Sequence, residues 1–451
     1  MKRRRLFVAA VVAMGLVALA CQNQKAGPTT SSAAGDCRTP PTAPPATPGA
    51  SPTAAAKASA SPAATAAATL APAVTSPAAS TTSTKKVVKL GFLGDLSGGN
   101  AGLVVSAEKS AALAIDQANA KGDLPVSLQI DAKDNKDGTA DTAPALAQQL
   151  ISDPAVVGVI GPAFSGETKA TGALFCQAGL TDVTQSATNP ALTTYGWPTF
   201  FRALATDAVQ GGQDGAYIVK GLGKKRIAVI NDKSDYGSGL AAAIVKSVKD
   251  SGGNVVLNQG IEPTTDYTTI VDSVLAAKAD VLYYAGYDKD APLLEKQYRQ
   301  KLGTALFMGG DGDKGTNFLK EGGAADEGAI LTCPCLDPNA SSDPAAQKFA
   351  ADYKAKYGEI AGIYSAEAWD VANMFIAAIK SAGANPTRKS VLDYITNLKD
   401  FKGLSKTFNW TSTHEVVAGD ITYVYKVVNG KYTLLGKAAD LMGGSTPSAT
   451  P

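Results

Sequence analysis

Few side chains in this 451-residue chain are equipped for catalysis. There is one histidine, His414, which excludes multi-histidine metal centres and leaves a serine-hydrolase triad dependent on that one ring reaching a serine. The chain has no Gly-x-Ser-x-Gly elbow, no Gly-x-x-x-x-Gly-Lys phosphate loop and no Gly-x-Gly-x-x-Gly after its first strand. The paired acids Asp134 and Asp137 fall in a turn after a strand, where solvation accounts for them. No metal, no cofactor and no enzymatic activity are therefore expected. Charge excludes a further class. The net formal charge is +2, but Lys2, Arg3, Arg4 and Arg5 supply four positive charges before residue 21, and residues 21–84 add a net two. That leaves −4 for residues 85–451, a mildly acidic body that does not suit a nucleic-acid backbone.

The positive head and the uncharged apolar run Leu6–Ala20 read as an export signal over residues 1–20. The run is shorter than the roughly 20 residues a spanning helix needs. It ends Val17-Ala-Leu-Ala-Cys21, and small residues before a cysteine resemble the bacterial lipobox, which makes Cys21 the expected site of lipidation. From Gly27 to Thr84, 49 of 58 residues are Ala, Pro, Ser or Thr. Such a segment buries too little apolar surface to offset the entropy of ordering it, so residues 21–84 read as a disordered linker. Residues 439–451 read as a disordered tail. Cys37, Cys176, Cys333 and Cys335 then remain, and four cysteines allow three full pairings. Cys333-Pro-Cys335 could close a short loop in an oxidising compartment, while a two-cysteine metal pair lacking histidine partners is not expected.

The remaining body alternates strand and helix. Strands are expected at Val87–Leu93, Ser127–Ala132, Val156–Ile160 and Thr181–Gln185, with helices at Ala101–Lys121, Ala140–Ser152 and Glu167–Gln177. The pattern restarts after Asp207, with strands at Lys225–Ile230, Asn254–Asn258, Asp280–Ala285 and Ala305–Met308. Helices at Ser238–Asp250, Tyr267–Lys278 and Ala291–Lys301 separate them. Near-continuous apolar strands between helical stretches predict an α/β fold of two doubly wound parallel-sheet lobes. Three helices (Ala345–Tyr357, Ser365–Ala382, Lys389–Leu398) and a hairpin turning at Asn429-Gly430 must pack on those sheets. Three crossings between lobes are expected, near Ala203–Asp207, Cys335–Asp337 and Asn409–His414, forming a three-segment hinge. Lobe 1 is expected over 85–205 and 336–408, and lobe 2 over 206–335 and 409–438. Ligands of open α/β sheets bind at the carboxyl ends of strands, so the cleft between lobes is the default site.

Six motifs carry a family resemblance: Lys89-Leu-Gly-Phe-Leu-Gly-Asp-Leu-Ser-Gly98, Asp116-Gln-Ala-Asn-Ala-Lys-Gly122, Val159-Ile-Gly-Pro162, Ser186-Ala-Thr-Asn-Pro190, Asn231-Asp-Lys-Ser-Asp-Tyr-Gly237 and Phe307-Met-Gly-Gly-Asp-Gly312. Together, from about Val87 to Leu435, they resemble the type I periplasmic binding proteins of the leucine/isoleucine/valine-binding group, the receptors of amino-acid ABC importers. The resemblance implies a small-molecule amino acid ligand, a membrane permease as partner and a monomeric receptor held at the outer face of the cytoplasmic membrane by its lipid.

It also implies a site. Ser165, at a helix start in Phe164-Ser-Gly-Glu-Thr168, matches the serine that holds the ligand's α-carboxylate, where a helix N-terminus favours an anion. Ser186 and Thr188 match a small residue and a threonine of the same subsite; Ser186 stands where the family usually has alanine. Tyr287 and Asp311 match the aromatic and the acid that hold the ammonium from lobe 2, with Asp311 often a glutamate in the family. Tyr236 matches a cleft aromatic, and Leu103 stands where relatives often have tyrosine. Without the resemblance, plainer readings stay open. Ser165 reads as an N-cap, Thr188-Asn-Pro as a turn, Asp311 between two glycines as a turn aspartate, and Tyr236 and Tyr287 as wall residues. His414 reads as a surface hinge residue and Trp410 as packing. A receptor for urea, short amides or aromatic acids, which would not need Asp311, and a sensory receptor for a signalling partner are the alternative functions.

Overall fold

The computed structural model describes residues 37–40, 85–303, 305–417 and 421–443. The export signal, Cys21, most of the linker and the end of the tail lie outside the described residues.

Two sheets organise the body. The first has the order β2-β1-β3-β4-β5, all parallel, from β1 (Val87–Gly94), β2 (Ser127–Asp134), β3 (Val156–Ile160), β4 (Thr181–Thr184) and β5 (Phe200–Arg202). Helices α1 (Ala101–Lys121), α2 (Ala143–Ser152), α3 (Ser165–Gln177) and the short α4 (Ala191–Thr194) connect them. Every residue of β3 and β4 is buried, as strands covered on both faces require.

The second sheet is entered through α5 (Asp207–Ala216). It holds β6 (Arg226–Asn231), β7 (Asn254–Gly260), β8 (Val281–Ala285), β9 (Leu306–Gly309) and β10 (Ile330–Cys333), with α6 (Asp235–Asp250), α7 (Thr268–Ala276), α8 (Ala291–Leu302) and α9 (Thr316–Gly322) between them. The chain then returns to the first sheet as α10 (Pro344–Tyr357), α11 (Ser365–Ala382) and α12 (Arg388–Thr396). Their buried residues Phe375, Ile379, Val391 and Ile395 share a core with Val88, Leu90 and Phe92 of β1. A two-strand ribbon, β11 (Phe401–Lys402) with β12 (Thr407–Phe408), follows. Last come β13 (Tyr423–Val428), β14 (Lys431–Lys437) and the short α13 (Ala438–Met442). The hairpin β13–β14 adds antiparallel to β10, completing the order β14-β13-β10-β9-β8-β6-β7. The expected doubly wound α/β architecture is present, with an antiparallel edge on the second sheet.

Several elements differ from expectation. Helix α5 was not expected, because Gly211, Gly212 and Gly215 weaken helix propensity. The glycines are what let it form here. A Cβ on Gly211 would sit 2.7 Å from Ala243 Cβ, and one on Gly215 2.7 Å from Ser247 Cβ, so α5 lies flush on α6. Strands β5 and β10, three and four residues long, and the single helical stretch α9 were also not expected. They are too short to show a period.

The third crossing lies later than expected. Residues 409–417 remain with the first sheet: the amide of Arg202 donates to the His414 carbonyl at 3.1 Å, and His414 stacks on Phe201 at 4.1 Å. His414 is thus packed into lobe 1, with Nδ1 3.1 Å from the Phe200 carbonyl, and is not a surface hinge residue. The chain leads back to the second sheet at Thr422, whose amide donates to Gln213 of α5 at 3.0 Å. Residues 439–442, expected to open the tail, form with Ala438 a helical turn whose Leu441 and Met442 pack on the second core. Part of the expected linker is also ordered. Cys37 is disulfide-bonded to Cys176 of α3, and the Trp197 indole donates to the Arg38 carbonyl at 2.9 Å. Cys333 pairs with Cys335 at the second crossing.

Candidate functional site

Helix α3 begins directly after β3 and the turn at Gly161-Pro162. Ser165 is its first residue, not its cap, because Phe164 holds the extended cap conformation. The cap position is served from Glu167, whose carboxylate accepts the Phe164 amide at 3.0 Å and the Asn135 side chain at 2.6 Å. Ser165 Oγ accepts the Asn189 amide at 3.2 Å, which leaves its own proton to point elsewhere. Burial pushes the Glu167 carboxyl up to about 8.

The loop from Ser186 to Asn189 lies across from that helix start and is positioned by a residue not anticipated from sequence. Arg202, fully buried, donates to the carbonyls of Ala187 and Asn189 at 2.8 and 2.9 Å and holds Glu415 with two bonds of 2.9 Å. Ser186 Oγ donates to the Ala163 carbonyl at 2.7 Å, so its hydroxyl can offer only an acceptor to the cavity.

The opposing wall comes from the second sheet, and each part sits at the carboxyl end of a strand. Tyr236 is the second residue of α6, after β6; Tyr287 follows β8; Asp311 follows β9. Tyr236 stacks on Tyr287 with ring centres 5.2 Å apart, and Tyr287 meets Phe164 of the first wall edge-on at 5.1 Å. Asp311 is buried and takes two phenols: Tyr236 donates to Oδ1 at 2.8 Å and Tyr364 to Oδ2 at 2.6 Å. The Gly312 amide donates to the Tyr236 oxygen at 2.9 Å, which orients that phenol. Burial pushes the Asp311 carboxyl above its ordinary value, and the Tyr364 and Tyr236 phenols pull it back. The Gln210 side chain and a backbone amide favour its ionised form as well.

Ser165, Ser186, Tyr236, Tyr287 and Asp311 line one cavity, together with Leu103, Val104, Ala163, Phe164, Gly312 and Tyr364. Thr188 is not on this wall. It is buried behind it, its carbonyl accepting the Asp207 amide at 2.9 Å. Tyr364 is the main residue that sequence reasoning missed. It precedes α11, is held in a left-handed conformation at φ 58°, and reaches from the first-sheet side to Asp311. Its only sequence cue is the preceding Gly362, which does not distinguish it from other loop tyrosines. A non-glycine in this conformation costs about 1–3 kcal/mol and marks a position held for a purpose.

The space between the walls is about 10 Å³, room for roughly one water. Ligand pockets generally begin near 300 Å³. The walls are joined by the Tyr364–Asp311 bond, by Asn317 donating to the Gly99 carbonyl at 2.8 Å and by Lys169 with Asp235 at 2.7 Å. The geometry is that of closed jaws. Admitting a ligand requires them to part and the Tyr364–Asp311 contact to open.

The family described as periplasmic binding protein matches residues 87–431. A Leu/Ile/Val-binding protein of Rhizobium johnstonii is 29% identical over 341 residues, covering 74% of this chain and 89% of that protein. A leucine-, isoleucine-, valine-, threonine- and alanine-binding protein of Pseudomonas aeruginosa is 28% identical over 317 residues, covering 69% and 83%. Among solved structures, a branched-chain amino acid transporter substrate-binding protein of Streptococcus pneumoniae in complex with isoleucine superimposes with a TM-score of 0.69 at 27% identity, covering 78% of this chain and all of that one.

Proposed function

The chain belongs to the periplasmic binding protein family, and we propose that it is the extracytoplasmic receptor of an ABC importer, capturing a branched-chain amino acid between its lobes. The relatives bind leucine, isoleucine and valine by name, which supports the ligand class. One observation carries the reading. Hydroxyl and helix N-terminus at Ser165 face, across a single cavity, the carboxylate of Asp311 flanked by Tyr236 and Tyr287.

The roles follow from that opposition. The ligand's carboxylate sits on the Ser165 hydroxyl and the first amides of α3, where the dipole favours an anion. Its ammonium pairs with the Asp311 carboxylate, which the opening of the Tyr364 contact frees. Leu103, Val104, Phe164 and Tyr287 supply an apolar wall for an aliphatic side chain. Ser186 accepts a ligand proton, and Thr188 supports the loop from behind. Both ends are satisfied only with the jaws together, so ligand shifts the open–closed equilibrium through contacts present in one state. The closed form then docks on its permease. In this reading lobe 1 comprises 85–205 and 336–417, lobe 2 comprises 206–335 and 421–442, and a lipidated Cys21 tethers the monomer to the membrane.

A thermal-shift series with leucine, isoleucine, valine, urea, acetamide and benzoate tests this. Stabilisation by the amino acids, lost in Asp311→Ala, is expected. Stabilisation by an amide or benzoate that survives Asp311→Ala would replace the amino acid as ligand.

A further inference from the structure

A second cavity, larger than the first, lies between the lobes on the side of the second crossing. Its volume is about 450 Å³, within the range of small-molecule pockets. Lobe 1 contributes Gly102 and residues 360–363; lobe 2 contributes residues 314–316, Leu319, Lys431 and Tyr432; the crossing at Cys335–Asp337 closes one end. Most of this wall is apolar. Ile360, at 66% the most exposed large apolar side chain among the described residues, stands at the mouth and extends the apolar surface outward.

This wall also holds a buried cation. Lys314 is only 6% exposed, with its ammonium 4.1 Å from the ring centre of Tyr425 and 4.8 Å from that of Tyr432. Two aromatic faces attract an ammonium but accept none of its protons in full hydrogen bonds. Among the described residues the Lys314 ammonium makes no hydrogen bond or close ion pair, although the charges of Asp337 and Glu367 act on it and favour its protonated form. Asp337 is on the same wall and takes the amide and side chain of Asn339 on one oxygen, both at 2.9 Å. Lys431 adds a second positive charge at the mouth. Burial disfavours the charge of Lys314, and an anion with an apolar body that hydrogen-bonds to it would relieve that cost while filling the walls.

We propose that this cavity is a second binding site, for a small apolar monocarboxylate, with Lys314 holding the carboxylate. Because its walls come from both lobes, an occupant binds the closed form and strengthens closure. The site is separate from the amino acid cleft and does not require that the cleft ligand be correctly identified.

The test is calorimetry and thermal shift on the whole protein with octanoate, octylammonium and octanol, first without amino acid. Octanoate is expected to bind and stabilise, and the cation and the alcohol at least tenfold more weakly. Lys314→Met keeps the stem on Tyr425 and should lose octanoate binding tenfold or more. Ala340→Phe, at an exposed position on the rim, should block entry with Lys314 intact. Equal effects of the three amphiphiles, or octanoate binding unchanged in both variants, would overturn the proposal. So would loss of octanoate binding in Ser165→Ala with none in Lys314→Met, which would place octanoate in the cleft.

Discussion

Asp311→Asn separates the ligand role of this side chain from its structural one. Asparagine keeps the shape, and its amide can still meet the Tyr236 and Tyr364 phenols, which lie 2.8 and 2.6 Å from the carboxylate. What it removes is the charge facing an ammonium. A hydrogen bond to a charged group contributes about 1.5–3 kcal/mol, and unpairing a buried charge costs about 3–5 kcal/mol. A loss of about 2–5 kcal/mol corresponds to a fall in affinity of roughly 30-fold to several thousand-fold. Stability should move the other way. The wild-type carboxylate is buried at a desolvation cost that its raised pKa records, and asparagine avoids it. The assay is isothermal titration with leucine at pH 7.5, paired with a melting curve of the ligand-free protein. An Asn variant that keeps leucine affinity within threefold would refute the ammonium assignment. A variant that loses affinity only because its melting temperature collapses would show that Asp311 serves the fold instead.

Ser165→Ala should lower leucine affinity by about 10- to 100-fold, since it deletes one bond to a charged carboxylate; titration reads the change, and circular dichroism should be unaltered. Tyr364→Phe removes a donor that stabilises the ionised Asp311, so the pH below which leucine affinity is lost should move upward in a titration series from pH 4 to 8. Glu415→Ala leaves Arg202 buried with half its partners gone and should cost about 3–5 kcal/mol in denaturant unfolding. Burial raises the Asp214 carboxyl to about 7 from an ordinary 3.8; the folded state thus holds a proton that the unfolded state releases, and stability falls as pH rises from about 4 to 7. Asp214→Asn should flatten that slope in melting curves taken across the same interval.

The resemblance picked out residues that the fold brings to one cavity, and those of the Asp311 wall lie at strand ends where short motifs are fixed: Tyr287 two residues after β8 and Asp311 two residues after β9. Ser165 lines the same cavity as the first residue of α3 and not as a cap. Tyr364 and Arg202 were not legible. Tyr364 acts only through a left-handed turn that a tertiary contact stabilises, and Arg202 only because residue 415 returns to the first sheet more than two hundred positions later. The same distance hid the late third crossing: Trp410 and Val416 of residues 409–417 pack in the first core, but they are too few and too widely spaced to show which sheet they join. Helix α5 was lost to its glycines, whose cost is recovered by close approach to α6. In each case a non-local contact overruled a local preference.

The bond from Cys37 to Cys176 changes how far the receptor can travel from its proposed lipid. Cys21 and Cys37 are sixteen positions apart, whereas Cys21 and Lys85 are sixty-four apart. At no more than about 3.5 Å per residue, the ceiling on the distance from bilayer to body drops from about 220 Å to about 55 Å. The volume patrolled scales as the cube of that radius, so it shrinks by roughly 60-fold and the effective concentration at a neighbouring permease climbs in proportion. Oxidation of one thiol pair thereby acts as a shortened leash, and a reductant would lengthen it without touching the jaws.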